Sequence, residues 1–191
     1  MALLTKAQRE QRDKKQAENR TYTLPVYANH PNSKKVQAGE ATANQFTFQG
    51  NEYESVEMVA ITRRYVYQTG TVPDTEEVTI FSDDLIDETP TFHDLVAEHE
   101  KVKCFYETLV YLPELKAFAA FRTPSYSTEV NKAFEDGEDG EVFRVTPNIH
   151  CPPKSRYSSM LYLYTVEATG EVCNPEENEL YNVEFDRFNA F

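Results

Sequence analysis

The most constraining stretch of the chain is VKCFYETLVYL-PE-LKAFAAFRT, residues 102–123. Two runs of aromatic and branched side chains are parted only by Pro113-Glu114. Proline inside a helix removes a hydrogen bond and clashes with the preceding turn, so one helix cannot span the stretch. A two-residue link leaves an antiparallel hairpin as the compact solution, over Val102–Leu112 and 115–123. The same kind of run recurs at 53–68, YESVEMVAITRRYVYQ, where Val56, Val59, Ile61 and Val66 suit a pleated surface. The turn TGTVPDTEE leads from it into Glu77–Phe81, a second expected hairpin. Further strands are expected at 22–27, at Phe46-Thr47-Phe48 before a turn at Gly50-Asn51, at 142–147, and at 158–168. The last turns at Thr169-Gly170 into 171–173.

Composition agrees with this reading. The 191 residues hold no Trp but 12 Tyr and 12 Phe, side chains that favour half-buried strands. The expected class is mainly β with short helices, and the length suffices for a core without disulfides. Residues 3–19 are good helix formers with almost no apolar face, so a basic arm is expected that is exposed or docks only by its first turn. A short helix is expected within 82–101, with Thr89 as cap, Pro90 in the first turn and Phe92, Leu95 and Val96 on one side. STEVNKAF adds one or two turns, and the tandem prolines of HCPPKSR stiffen a loop. The chain divides into a basic helical arm (1–21), a β-barrel domain (22–173) and an acidic tail (174–191). The tail has a second reading, in which ELYNVEF is a last strand packed on the body.

Charge is unevenly placed. The total is −13, from 32 acidic and 19 basic side chains. Residues 1–36 carry eight basic and three acidic side chains, a net of +5, which leaves −18 for the remainder. An acidic body repels nucleic acid and anionic membrane, so a strand-binding role needs local basic patches. The three cysteines, Cys104, Cys151 and Cys173, are odd in number and lack metal-ligand spacing. The first residues are too briefly apolar for a signal peptide, and no run reaches membrane-spanning length. These features predict a cytoplasmic protein without membrane contact, in the host cell cytoplasm if the source is viral.

No motif for a nucleophile, zinc, phosphate or dinucleotide site occurs, so neither an enzyme nor a cofactor is expected. His93 and His99 lie six apart, too far for a metal pair on one helical face. Asp83, Asp84, Asp87 and Glu88 could hold a divalent cation, but they equally suit a turn and a helix N-terminus. The informative pattern interleaves aromatic and basic residues on strands. Arg63, Tyr65 and Tyr67 share one face by alternation. Lys103 and then Lys116, Phe118 and Arg122 follow in the hairpin, and Lys154, Arg156 and Tyr157 end the proline loop. Rings stack on bases and cations neutralise phosphates, which is what single-strand binding requires. The structural alternative is that many of these rings fill the core. The tail spaces Phe185, Phe188 and Phe191 around Asp186. Such a tip either competes for a basic groove of its own protein or anchors a partner.

The strands, the Arg63-Arg64-Tyr65 run, the hairpin KCFYETLVYLPELKAFAAFR, the late strand SSMLYLYTVE and the acidic, Phe-ended C-terminus together resemble phage-type single-stranded DNA-binding proteins, over residues 45–191. The resemblance implies an OB-fold-like Greek-key barrel with an N-terminal helical arm. It also implies a role in coating transient single-stranded DNA during viral replication or recombination, with replication proteins recruited through the tail. This tail is less densely acidic than in that family, and more than five strands are expected. The alternative is a virion structural or assembly protein, a homo-oligomer whose basic arm contacts neighbouring subunits.

Overall fold

A computed structural model of the chain describes residues 22–69, 77–81, 102–150 and 161–190. The expected arm over 1–21, the helix within 82–101 with its carboxylates and histidines, the proline loop with Lys154, Arg156 and Tyr157, and Phe191 lie outside those residues. Along the chain come β1 (Pro25–Ala28), a helical turn α1 (Lys34–Gln37), β2 (Phe46–Phe48), β3 (Asn51–Tyr53), β4 (Val56–Thr69) and β5 (Glu77–Phe81). Then follow β6 (Val102–Leu112), β7 (Ala117–Pro124), α2 (Thr128–Asp136), β8 (Glu141–His150), β9 (Leu161–Val172), a 3-10 turn (Pro175–Glu177) and α3 (Tyr181–Asn189).

The strands form one sheet in the order β3-β2-β1-β7-β6-β4-β8-β9, with β5 also on β4. Only β1 and β7 pair in parallel; the other described pairs are antiparallel. β4 is the spine. It pairs β6 from Val59 to Thr69, while its other edge takes β8 at Val56, Glu57 and Met58 and β5 from Tyr65 onward. The register with β6 slips between Ala60 and Thr62, leaving Ile61 without an opposite residue. A bulge of this kind bends a strand and increases its twist, which lets β4 serve two partners on one edge. Both expected hairpins form. The link between β6 and β7 is longer than the proline-glutamate pair, because Leu115 and Lys116 belong to the turn and Lys116 takes φ +50°.

Alternation gives the sheet two apolar faces. On one, Val56 and Met58 of β4, Val110 and Leu112 of β6, Ala119 and Phe121 of β7, and Phe143 and Val145 of β8 form the main core. Phe121 meets Tyr164 of β9 edge-on at 5.2 Å, and Phe46 of β2 stacks on the same ring at 6.1 Å. Since β7 and β9 stand far apart in strand order, the sheet must curl round this core. The seam is closed by side chains rather than by a ladder. The Tyr162 N–H donates to the Tyr126 hydroxyl at 3.3 Å and the Val166 N–H to Glu129 at 3.0 Å, while the Ser127 hydroxyl donates to the Tyr162 carbonyl. An edge strand left with bare N–H and C=O groups is open to unwanted pairing, and the start of α2 blunts that edge.

On the opposite, outer face, Val59, Leu109, Tyr111, Phe118 and Val142 form a second cluster, closed by Phe188 of α3. Here the expected strand ELYNVEF is replaced by a helix that packs on the body. Residues 181–189 are this docked helix, with Glu184, Arg187 and Phe188 buried. The expected turn at Thr169-Gly170 is instead a bulge inside β9, where pairing passes from Glu141–Val172 to Phe143–Ala168. Nearby, Gly140 has φ +79°, and a Cβ there would lie 2.5 Å from the Cys173 carbonyl, so only glycine fits.

Candidate nucleic-acid interface

Two of the nominated cations, Arg63 and Arg122, fall on opposite faces of the sheet, and Arg64, beside Arg63 but not nominated, joins Arg122. Adjacent residues of a strand point to opposite sides, so Arg63 and Arg64 part company. Arg63 faces α2, and Arg64 faces α3.

On the outer face, Glu107 of β6 sits between Arg64 of β4 and Arg122 of β7, its direct cross-strand neighbours. Arg64 gives Nε and Nη2 to Oε1 of Glu107 at 3.2 and 2.6 Å. Arg122 gives the same edge of its guanidinium to Oε2 at 2.9 and 2.6 Å. Burial alone would push the Glu107 carboxyl up, but the hydrogen bonds and charges of the two guanidinium groups outweigh it and hold the group below the usual carboxylate range. Arg64 also donates from Nη1 to the Phe188 carbonyl and lies 4.0 Å over the Phe188 ring. The end of α3 is thus seated on a cation both by its dipole and by a ring. Within α3, Arg187 pairs with Glu184, and both are buried. Tyr181 meets Phe118 edge-on at 6.2 Å, and Tyr111 lies 5.0 Å from Phe118.

On the inner face, Arg63 lies over the Tyr106 ring at 3.8 Å and donates from Nη1 to the Asn131 carbonyl of α2 at 2.9 Å. Register sets residue 65 opposite Tyr106, residue 67 opposite Cys104 and residue 103 opposite Gln68; the side chains at 65, 67 and 103 lie outside the description. Cys104 is half-buried, and burial pushes its thiol up against the hydrogen bond with Ser125, which disfavours a reactive thiolate.

Of the other nominated residues, Lys116 is exposed at the hairpin turn and Arg122 is partly exposed. Phe118 is 5 % exposed beneath α3, so its ring has no free face for a base while the helix is docked. Phe188, expected as an outward anchor, is 2 % exposed for the same reason. Phe185 is half-buried and stacks on Tyr181 at 5.7 Å, and Asp186 is exposed. The sequence reading missed Glu107, Tyr106, Asn131 and the Glu184–Arg187 pair. The signal for Glu107 was present: one carboxylate inside an apolar strand needs a partner.

Among the described residues no group of His, Cys, Asp and Glu is placed to hold a metal ion, and no helix is long and apolar enough to cross a membrane. No protein-family model, curated protein or solved structure matches the chain.

Proposed function

We propose that the chain is a single-stranded DNA-binding protein with an OB-like body, coating transient strands in viral replication or recombination. An OB body is a five-stranded Greek-key barrel that binds oligonucleotides on the face of its second and third strands and on two flanking loops. β4, β6, β7, β8 and β9 supply five suitable strands, with the long, bulged β4 shared between β6 and β8. Under this assignment the binding face belongs to β6 and β7, and residues 151–160, which join β8 to β9 in sequence, carry Lys154, Arg156 and Tyr157.

The observation that carries the reading is what already occupies that face. α3 belongs to an acidic, aromatic segment, and it lays the Phe188 ring on Arg64 and covers Phe118. A ring on a guanidinium beside carboxylates is the chemistry of a stacked base beside its phosphate. A strand would take the place of α3, gaining Arg64 and Phe118 as contacts beside the already exposed Arg122. Replication proteins would then meet the released end of the chain.

The test is fluorescence anisotropy of labelled oligo(dT) across a salt series. The intact chain should bind at low salt and weaken as salt rises. A chain ending at Asn174 should bind about tenfold tighter, equivalent to one freed stacking contact of about 1.4 kcal/mol. Replacing Lys154 and Arg156 together by alanine should flatten the plot of log affinity against log salt by about 1.4, the share of two phosphates on a single strand. No binding by either chain at low salt would sink the proposal.

A further inference from the structure

Arg63 differs from the two arginines of the outer face in one respect. Arg64 and Arg122 each give the Nε–Nη2 edge, the fork that matches two oxygens of one anion, to Glu107. The same edge of Arg63 is shielded from water and meets no acceptor among the described residues. The guanidinium is otherwise fixed. Its plane rests on Tyr106 at 3.8 Å, and Nη1 is spent on the Asn131 carbonyl at 2.9 Å. Glu135 approaches only Nη1, at 3.9 Å, from a side chain that is 71 % exposed, so water screens that pair. The Arg63 side chain keeps 18 % of its surface, so the group lies just below the protein surface.

A charged fork held in place without an acceptor is costly, because desolvation of its donors goes unrepaid. A planar, pre-oriented fork is also what bidentate recognition of a phosphate requires. We infer that the Nε–Nη2 edge of Arg63 is a seat for a phosphate oxyanion, which the side chains now covering that edge must part to admit. The seat is on the face of the sheet opposite α3, so a free-anion seat does not depend on the single-strand reading, whereas a phosphodiester seat rests on it. Its phosphate has two possible sources, a free anion or a phosphodiester of a strand that passes round the β4 edge.

The experiment is proton–nitrogen NMR of the arginine Nε–H groups in the full chain, with the Arg63 signal assigned by its loss in Arg63→Lys. Inorganic phosphate and oligo(dT) are titrated separately, with chloride replacing phosphate at constant ionic strength. A saturable downfield shift of the Arg63 Nε–H with inorganic phosphate supports a free-anion seat, and one with oligo(dT) alone supports a phosphodiester seat. Arg63→Lys should weaken binding of that same probe about tenfold, since lysine lacks the fork. An Arg63 signal unmoved by both probes overturns the inference. If oligo(dT) still binds in that case, the single-strand proposal stands. If phosphate shifts Arg63 but oligo(dT) binds nowhere, the seat stands and the single-strand proposal falls.

Discussion

Glu107 is the residue on which the outer face turns. The residue is 7 % exposed, and its carboxylate takes four guanidinium hydrogen bonds. Breaking a buried ion pair by removing one partner leaves an uncompensated charge and costs about 3–5 kcal/mol. Glu107→Gln should therefore lose about 3 kcal/mol in urea unfolding at pH 7, with Arg64 as the stranded group. The pH dependence has a definite sign. Because the folded carboxyl titrates below its unfolded value, its contribution is complete above the ordinary glutamate pKa of about 4.3 and is lost as pH falls through the folded value. The gap between wild type and Glu107→Gln should hold from pH 7 down to about 4.3 and narrow as the pH falls further, towards and through the folded value. A gap that widens on acidification would contradict the assignment. The neighbouring arginines explain why the sequence disclosed only part of this site. Alternation correctly separated Arg63 from Arg64, but which face each would meet depended on two helices, α2 and α3, that pack from distant parts of the chain.

At the scale of elements, strands were legible and the last helix was not. β6 and β7 announced themselves as nearly continuous apolar runs, because both of their faces are buried. Residues 180–186, LYNVEFD, alternate, since Tyr181, Val183 and Phe185 are two apart, and so they read as a strand. The helical set is Tyr181, Glu184, Phe185 and Phe188, and two of its spacings are hidden by a buried charge at Glu184. A nine-residue helix is too short to persist alone in water. α3 must therefore be held by its docking contacts, chiefly the Phe188 ring under Arg64. Phe188→Ala should cost about 3 kcal/mol, the lower part of the range for buried phenylalanine. Amide exchange over 181–189 should rise while β6 and β7 keep their protection. Equal loss of protection in both would show that α3 and the sheet unfold as one unit rather than in steps.

For the whole molecule, the arrangement separates two jobs. The main core, wrapped by the curled sheet and closed by α2, holds the fold together, whereas α3 covers an apolar outer face that the sheet does not need for its own closure. The β class and both hairpins were legible because burial on two faces writes itself into nearly continuous apolar and aromatic runs broken by turn residues. The curl was not, because it comes from the Ile61 bulge and from contacts such as Phe121 with Tyr164 that join strands far apart in order. This division predicts how the chain responds to loss of its end. Without residues 175–191, Val59, Leu109, Tyr111 and Phe118 lose the cover of Phe188, Tyr181 and Phe185, and a contiguous apolar patch faces water. The far-ultraviolet spectrum should keep its β character, while hydrophobic-dye fluorescence rises and sedimentation shifts to larger species. Arg64 and Arg122 would border that patch, so adding oligo(dT) should reverse both changes if a strand binds there. Reversal by salt alone, without DNA, would mean that charge rather than a stacked strand governs the uncovered face.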